Sequence, residues 1–455
     1  MKRTFYLLSL FCFTICLLAN AEQKTVNIFK EVVFYDGYRA EVIDADVNDG
    51  ILRFKNSLYS VKLDNEKLKD MGYDLKMDVV IGALCDNYDR IGNVNLAFVP
   101  KGSATYKYDE VERIEITRFI TPFMNKNKQP DEVPYSYEIP NVGRILKDAT
   151  LNSRYDFWME FEVFGVPYAA NQQIAGCSDR NDVFEGTIDL TYTPDSGKDD
   201  GNIIVPIYVK KPEDHGNVNF NNYTAGATDT LGVTTRTFEF NVPEDVEDSR
   251  IFLILTNHGA NTGGEEYVRR LHIVYFDDEV ILSYTPGGVS CEPYRQYNTQ
   301  ANGIYSSSRP YIFWVNNSNW CPGQAVPIRE LHTGKLKAGT HKVMIRVPAA
   351  QFVGNDGDFR PSLYFHGVRH GVLPAGMAEI WMEGPEITIM QNGTLISYKS
   401  EEPVTDLFVH SYDGRVLDIF STPPTTIDLG RHSGSAVILT FVTADGRSTV
   451  KKIVL

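Results

Sequence analysis

A chain of 455 residues with 43% hydrophobic content can fill more than one core, because single domains commonly run to about 100–200 residues. Its formal charge of −15 and pI near 5.1 exclude nucleic acid as the main partner, since neutralising phosphates requires a basic stripe. Two large domains and a smaller third are expected.

Residues 1–21, MKRTFYLLSLFCFTICLLANA, read as a secretory signal: Lys2 and Arg3, an apolar run from Phe5 to Leu18, then Ala19-Asn20-Ala21 before Glu22. The run is too short for a membrane anchor, and no later stretch approaches a membrane span. Removing the signal removes Cys12 and Cys16 and leaves Cys85, Cys177, Cys291 and Cys321, an even number suited to an oxidising compartment. Pairing Cys291 with Cys321 closes one loop-rich segment, and Cys85 with Cys177 then follows by exclusion. The competing reading is free buried thiols. Neither CxxC nor HxxxH spacing accompanies them, so a zinc site is not expected.

Helical periodicity is almost absent. Short alternating runs separated by Gly, Pro, Asn and Asp recur throughout, which predicts an all-β protein of sandwich or jelly-roll type. In GALCDNYDRIGNV (82–94) the charges Asp86, Asp89 and Arg90 stand at the mouth of a predicted strand in which Val94, Leu96 and Phe98 alternate with Asn93, Asn95 and Ala97. In RYDFWMEFEVFG (154–165) Phe157, Met159, Phe161 and Val163 point one way, and Trp158, Glu160, Glu162 and Phe164 the other. A solvated second face is the plain account of those carboxylates. TPDSGKDDGN (193–202) concentrates turn residues and marks a domain break.

Farther on, HGANTGGEEYVRRLHIV leads into a strand predicted to begin near Glu266, so that Glu266, Arg270 and His272 share one surface. A salt-bridge ladder is the plain alternative. His258 and His272 lack a third nearby ligand, which argues against copper or zinc. A last boundary falls near Glu383-Gly384-Pro385.

CDNYDRIGNV, ERIEITRFITPF and NSNWCPGQAVPIRE resemble, in order, segments of the peptide:N-glycosidase F family, bacterial amidases that remove N-linked glycans. KTVNIFKEVVFYDG, TPDSGKDDGNIIVPI and EEYVRRLHIV extend the resemblance over about residues 24–383, with RFITP and WCPGxAVP its most specific parts. It implies two adjacent eight-stranded antiparallel jelly rolls, over 22–195 and 200–383, with a cleft between them. It also implies hydrolysis of the glycosylasparagine amide without a cofactor or metal, yielding aspartate and a glycosylamine. The catalytic aspartate maps to Asp89 and the two assisting glutamates to Glu266 and Glu162.

Amide hydrolysis needs an activated water, donors for the developing oxyanion and a proton for the departing amine. Carboxylates and an arginine supply all three, and gathering Asp89, Glu162 and Glu266 raises at least one pKa unless Arg90 or Arg270, both candidate substrate-binding residues, compensates. Tyr88, Tyr267 and Trp320 lie at or beside the matched motifs and are candidates to pack against sugar faces. The chain departs from the family where Gly264 and Val268 replace cysteines beside Glu266, where the partner expected just upstream of Cys85 is missing, and in an insertion between Glu162 and Ile188 that carries Cys177.

The tail, 385–455, ends in SAVILTFVTADGRSTVKKIVL and resembles the C-terminal sorting domain of the type IX secretion system of Bacteroidota, with an Ig-like module as the alternative. The expected partners are therefore N-linked glycopeptides and glycoproteins and the secretion machinery, and the chain is expected to be a secreted or surface monomer. A glycan-binding protein without turnover is the rival function. A copper monooxygenase would need His and Met clusters that the sequence does not offer.

Overall fold

A computed structural model describes residues 22–39, 41–43, 47–209, 234–259, 264–300, 302–317, 319–350, 357–373, 386–411, 416–443 and 448–455. The expected signal sequence, the middle of the HGANTGG loop and the expected boundary at Glu383-Gly384-Pro385 lie outside them.

Nine described strands fall before residue 193: β1 (Lys24–Tyr35), β2 (Ile51–Lys55), β3 (Leu58–Lys62), β4 (Lys76–Ala83), β5 (Ile91–Pro100), β6 (Glu112–Ile120), β7 (Glu132–Glu138), β8 (Tyr155–Val163) and β9 (Asp182–Tyr192). They form two antiparallel sheets, β1-β9-β4-β7 and β2-β3-β8-β5-β6. Alternate residues of both fill one core: Met77, Val79 and Ile81 from β4, Val133, Tyr135 and Tyr137 from β7, and Phe157, Met159 and Phe161 from β8. Period-two burial makes these runs strands, because a slip of one residue would turn every one of these rings outward.

The other face of β8 departs from the solvated expectation. Trp158 and Glu160 are buried, and Glu160 accepts hydrogen bonds from Arg113 Nε (2.9 Å) and Tyr106 Oη (2.7 Å). Tyr106 and Val111 pack over Trp158. A paired guanidinium and a covering loop make burial of that carboxylate tolerable, where an unpaired one would cost several kcal/mol.

The second unit contains β10 (Asn202–Tyr208), β11 (Thr235–Val242), β12 (Asp248–His258), β13 (His272–Phe276), β14 (Glu279–Tyr284), β15 (Ile328–His332), β16 (Gly339–Arg346) and β17 (Asp358–Val368). Its sheets are β10-β17-β12-β15 and β11-β16-β13-β14, closed over their own apolar core. The described strands thus number nine and eight rather than eight and eight, the short β2–β3 hairpin lying at one edge of its sheet.

Edge strand β6 joins the two units. Arg118 forms a bidentate pair with Glu115 and donates to Thr256 Oγ1 (2.8 Å) and the Arg360 carbonyl (2.7 Å). Phe252 and Tyr364, stacked at 4.6 Å, enter the first unit's core, and Asn141 Nδ2 donates to the Tyr364 hydroxyl at 2.7 Å.

A third unit contains β18 (Ile387–Asn392), β19 (Leu395–Ser400), β20 (Val404–Ser411), β21 (Val416–Ser421), β22 (Thr426–Asp428), β23 (Ala436–Thr443) and β24 (Ser448–Val454). Its sheets are β18-β19-β22 and β21-β20-β23-β24. Ile438 packs on Leu271 and Ile273 of the second unit, and Phe408 on Val315. No helix among the described residues is long and apolar enough to cross a membrane.

Candidate active site

The loop from Leu84 to Arg90 connects β4 to β5 and is fixed at many points. Cys85 is disulfide-bonded to Cys177, as the pairing by exclusion expected, and Cys291 is bonded to Cys321. The inserted segment thus supplies the partner that the upstream sequence lacks. Asp86, only 1% exposed, accepts from Arg90 Nε (2.7 Å) and from the backbone N–H groups of Tyr88 (2.9 Å) and Val166 (2.7 Å). Burial pushes its pKa up, and the Arg90 charge and hydrogen bonds oppose that. Thr121 closes the loop, its Oγ1 accepting from the Arg90 N–H and its own N–H donating to the Arg90 carbonyl, both at 2.7 Å.

With the guanidinium turned to Asp86, Asp89 is left without an ion pair among the described residues. Its carboxyl is pushed up to about 7, first by burial and next by the charge of Glu266, against the opposing pull of Arg90. Residues 89 and 266 are thus close in space although 177 positions apart and on different units.

Glu266 lies on a turn and not on a strand. The strand predicted from about residue 266 begins at His272, and residues 265–267 form a turn. Alternation therefore does not bring Glu266, Arg270 and His272 onto one surface. His272 is fully buried, stacks on Tyr284 at 5.0 Å, and burial holds its pKa down at about 3. Arg270 is held by Glu265 in a bidentate pair (3.0 and 3.2 Å), with Glu265 wholly buried. The hydrogen bonds fix the turn itself because the pattern of apolar residues does not. Asn319 Nδ2 donates to the carbonyls of Glu265 (2.7 Å) and Glu266 (2.6 Å), and its backbone N–H donates to the Glu266 carbonyl (3.1 Å). Gly259 N–H donates to the Glu266 carboxylate at 3.3 Å.

Tyr267, 38% exposed, is hydrogen-bonded to Glu266, and burial together with that carboxylate raises its pKa, so the phenol stays a donor. Tyr88 is 44% exposed and lies under the Arg90 guanidinium at 5.2 Å. Tyr267 thus lies against Glu266, and Tyr88 adjoins Asp89 in the chain. Trp320 is placed otherwise: it is 7% exposed, packs with Ile120, Ile254 and Val326 between the units, and donates through Nε1 to the Asn257 carbonyl at 2.9 Å. Its ring is a junction side chain and offers no open face to a sugar.

Glu162, partly buried, pairs across the sheet with Asn93, four residues beyond Asp89. The groups acting most on Asp89 are Glu266, Arg90 and Asp86, whereas the Glu162 charge acts on Tyr108. The structure therefore brings Asp89 and Glu266 together, and places Glu162 on β8 beside Asn93 of β5. Sequence reasoning passed over the roles of Asp86 and Asn319. The DxxDR spacing carried a signal for the first, because a four-residue offset lets a loop carboxylate reach back to the arginine.

No curated protein sequence matches this chain. Two crystal forms of PNGF-II resemble its fold, each 18% identical over 77% of this chain, with TM-scores of 0.54 and 0.52. The chain spans 66% and 65% of their lengths, a little under two thirds. PNGase F of Flavobacterium meningosepticum, a glycosylasparaginase, is 15% identical over 78% of this chain and 99% of its own, with a TM-score of 0.48. Two family profiles match in order: "Peptide-N-glycosidase F, N terminal" over residues 25–178 and "Peptide-N-glycosidase F, C terminal" over 227–364. Together these matches span more than half of the chain and carry both halves of the pair at residues 89 and 266, so the chain belongs to the peptide-N-glycosidase F family.

Proposed function

We propose that the protein is an exported amidase that hydrolyses the amide joining an N-linked glycan to asparagine, leaving aspartate in the peptide and releasing a glycosylamine. The observation that carries this reading is the pairing of Asp89 with Glu266, which holds one carboxyl near neutrality. Two acids whose charges repel share a proton, so at neutral pH one is protonated and the other ionised. The ionised group takes a proton from water as its oxygen bonds to the amide carbon. The protonated group delivers a proton to the nitrogen as the carbon–nitrogen bond breaks. The Arg90 guanidinium is the donor at hand for the oxyanion and the sugar, the Tyr267 phenol donates to Glu266, and Tyr88 offers an apolar face. Glu162, beside Asn93 on the sheet, orients substrate, and Arg270 acts through Glu265 on the Glu266 turn.

Two disulfides fit an oxidising compartment. In this reading residues 1–21 direct export and the unit after residue 386 serves as a type IX sorting domain, with N-glycoproteins as the substrate. The test is incubation with a denatured N-glycoprotein. Release of the glycan with conversion of the linked Asn to Asp supports the proposal; glycopeptide binding without cleavage would select the turnover-free rival.

A further inference from the structure

The four most exposed aromatic side chains among the described residues are tyrosines: Tyr38 at 68%, Tyr168 at 54%, Tyr88 and Tyr267. Tyr88 adjoins Asp89 in the chain, and Tyr267 is hydrogen-bonded to Glu266. The other two belong to a continuous row of rings that ends at the same loop. Tyr168 stacks on Tyr38 (centroids 6.3 Å apart, planes 19° apart), Tyr38 meets the edge of Phe164 at 5.2 Å, and the Arg90 guanidinium lies 6.0 Å from Phe164 and 5.2 Å from Tyr88.

This row is held in place. Asp36, 3% exposed, accepts from the Tyr38 N–H (3.0 Å) and from the Tyr168 hydroxyl (3.1 Å), so one buried carboxylate holds the Tyr38 backbone and the Tyr168 ring. At residue 37 an added Cβ would lie 2.6 Å from two Phe164 ring carbons, so glycine there lets the Phe164 ring keep its place. Tyr168 sits on the inserted segment that Cys177 ties to Cys85, and Val166 donates to Asp86. The fold thus commits a buried carboxylate, a glycine and a crosslink to two tyrosine rings that stay exposed to solvent. Contiguous exposed apolar surface of this kind marks a binding site.

The chemistry of the row selects the ligand. Tyrosine presents an apolar face with a polar edge. The neighbouring arginine is already neutralised by Asp86, and the net charge of −15 disfavours anionic ligands and anionic membranes. A neutral pyranose, with apolar C–H faces and hydroxyl edges, fits these requirements. We infer that Tyr38 and Tyr168 form a distal carbohydrate subsite, which stacks a sugar of the glycan remote from the amide and selects for substrates with an extended glycan. This deepens, and rests on, the amidase reading.

The test uses full-length Asp89→Asn protein and calorimetric titration with two probes, a free oligomannose N-glycan and N,N′-diacetylchitobiose. Tyr38→Ala and Tyr168→Ala, each added to that background, should weaken the oligomannose glycan about tenfold and the disaccharide less than about threefold, a tenfold change being about 1.4 kcal/mol of lost contact. Tyr168→Phe keeps the ring and should retain most of the affinity. Met390→Ala, exposed on the third unit, should leave both titrations unchanged. Equal losses for the two probes, or no loss, would overturn the subsite. Because binding is read without turnover, tyrosine-dependent binding together with a wild-type protein that cleaves no N-glycoprotein would refute the amidase reading and leave the subsite standing.

Discussion

Asp89→Asn is the sharpest perturbation of the proposed centre, and its effect on stability has a calculable sign. An aspartate titrates near 4 in an unfolded chain, whereas Asp89 titrates at about 7 in the folded protein. Between those two values the unfolded chain releases its proton and the folded one keeps it, so the folded state binds more protons. Stability therefore falls as pH rises from about 4 to about 7 and is level beyond. Each pH unit carries about 1.4 kcal/mol, which makes about 4 kcal/mol an upper bound; because Asp89 keeps some solvent contact, roughly 2 kcal/mol is expected. Asparagine never ionises and escapes the loss. Urea midpoints of the two proteins should coincide near pH 4, and the variant should be the more stable by roughly 2 kcal/mol at pH 8. A gap that does not change with pH, or a variant that is less stable at pH 8, would refute the claim that Asp89 is held protonated by burial and Glu266. The same variant should lose turnover.

Further outcomes follow from the surrounding contacts. Glu266→Gln removes the like charge, so the Asp89 carboxyl carbon followed by NMR should titrate at lower pH than in wild type, and hydrolysis should be lost; Glu162→Gln should cost less activity than Glu266→Gln. Asn319→Asp replaces the donor to two carbonyls with an acceptor, so kcat should fall more than about tenfold with KM little altered, and the Asp89 titration should move toward the ordinary range; an unmoved titration would show that Asn319 does not place Glu266. Changing both Cys85 and Cys177 to Ser opens a crosslink spanning 92 residues and should destabilise the first unit by about 2–4 kcal/mol, as read in its denaturant midpoint. The pH profile of kcat/KM should peak near neutrality and decline on the alkaline side as the shared proton is lost.

What was legible in the sequence tracks how local its cause is. β8 declared its core face because Phe157, Met159, Phe161 and Val163 alternate without a break, and the structure buries them all. The other face misled, since whether Glu160 is solvated depends on Arg113 and Tyr106, whose approach is set by tertiary packing. The turn at Glu266 misled for a similar reason. Glu266, Val268, Arg270 and His272 alternate as in a strand, but Asn319 and Gly259 hold the first of them in a turn, and both are remote or unremarkable in sequence. The disulfide partners were readable because four cysteines leave few choices. Trp320 was misjudged because an aromatic beside a motif reads alike whether it meets ligand or a second unit.

Hydrolysis of a denatured N-glycoprotein in heavy-oxygen water tests the central claim most directly. If Asp89 and Glu266 direct water onto the carboxamide carbon, the glycan departs whole, the former asparagine becomes an aspartate carrying one heavy oxygen, and neither event occurs with Asp89→Asn. Glycan release that leaves a sugar on an unlabelled asparagine, undiminished turnover by the Asp89→Asn protein, or no release while an authentic amidase succeeds alongside would contradict the account.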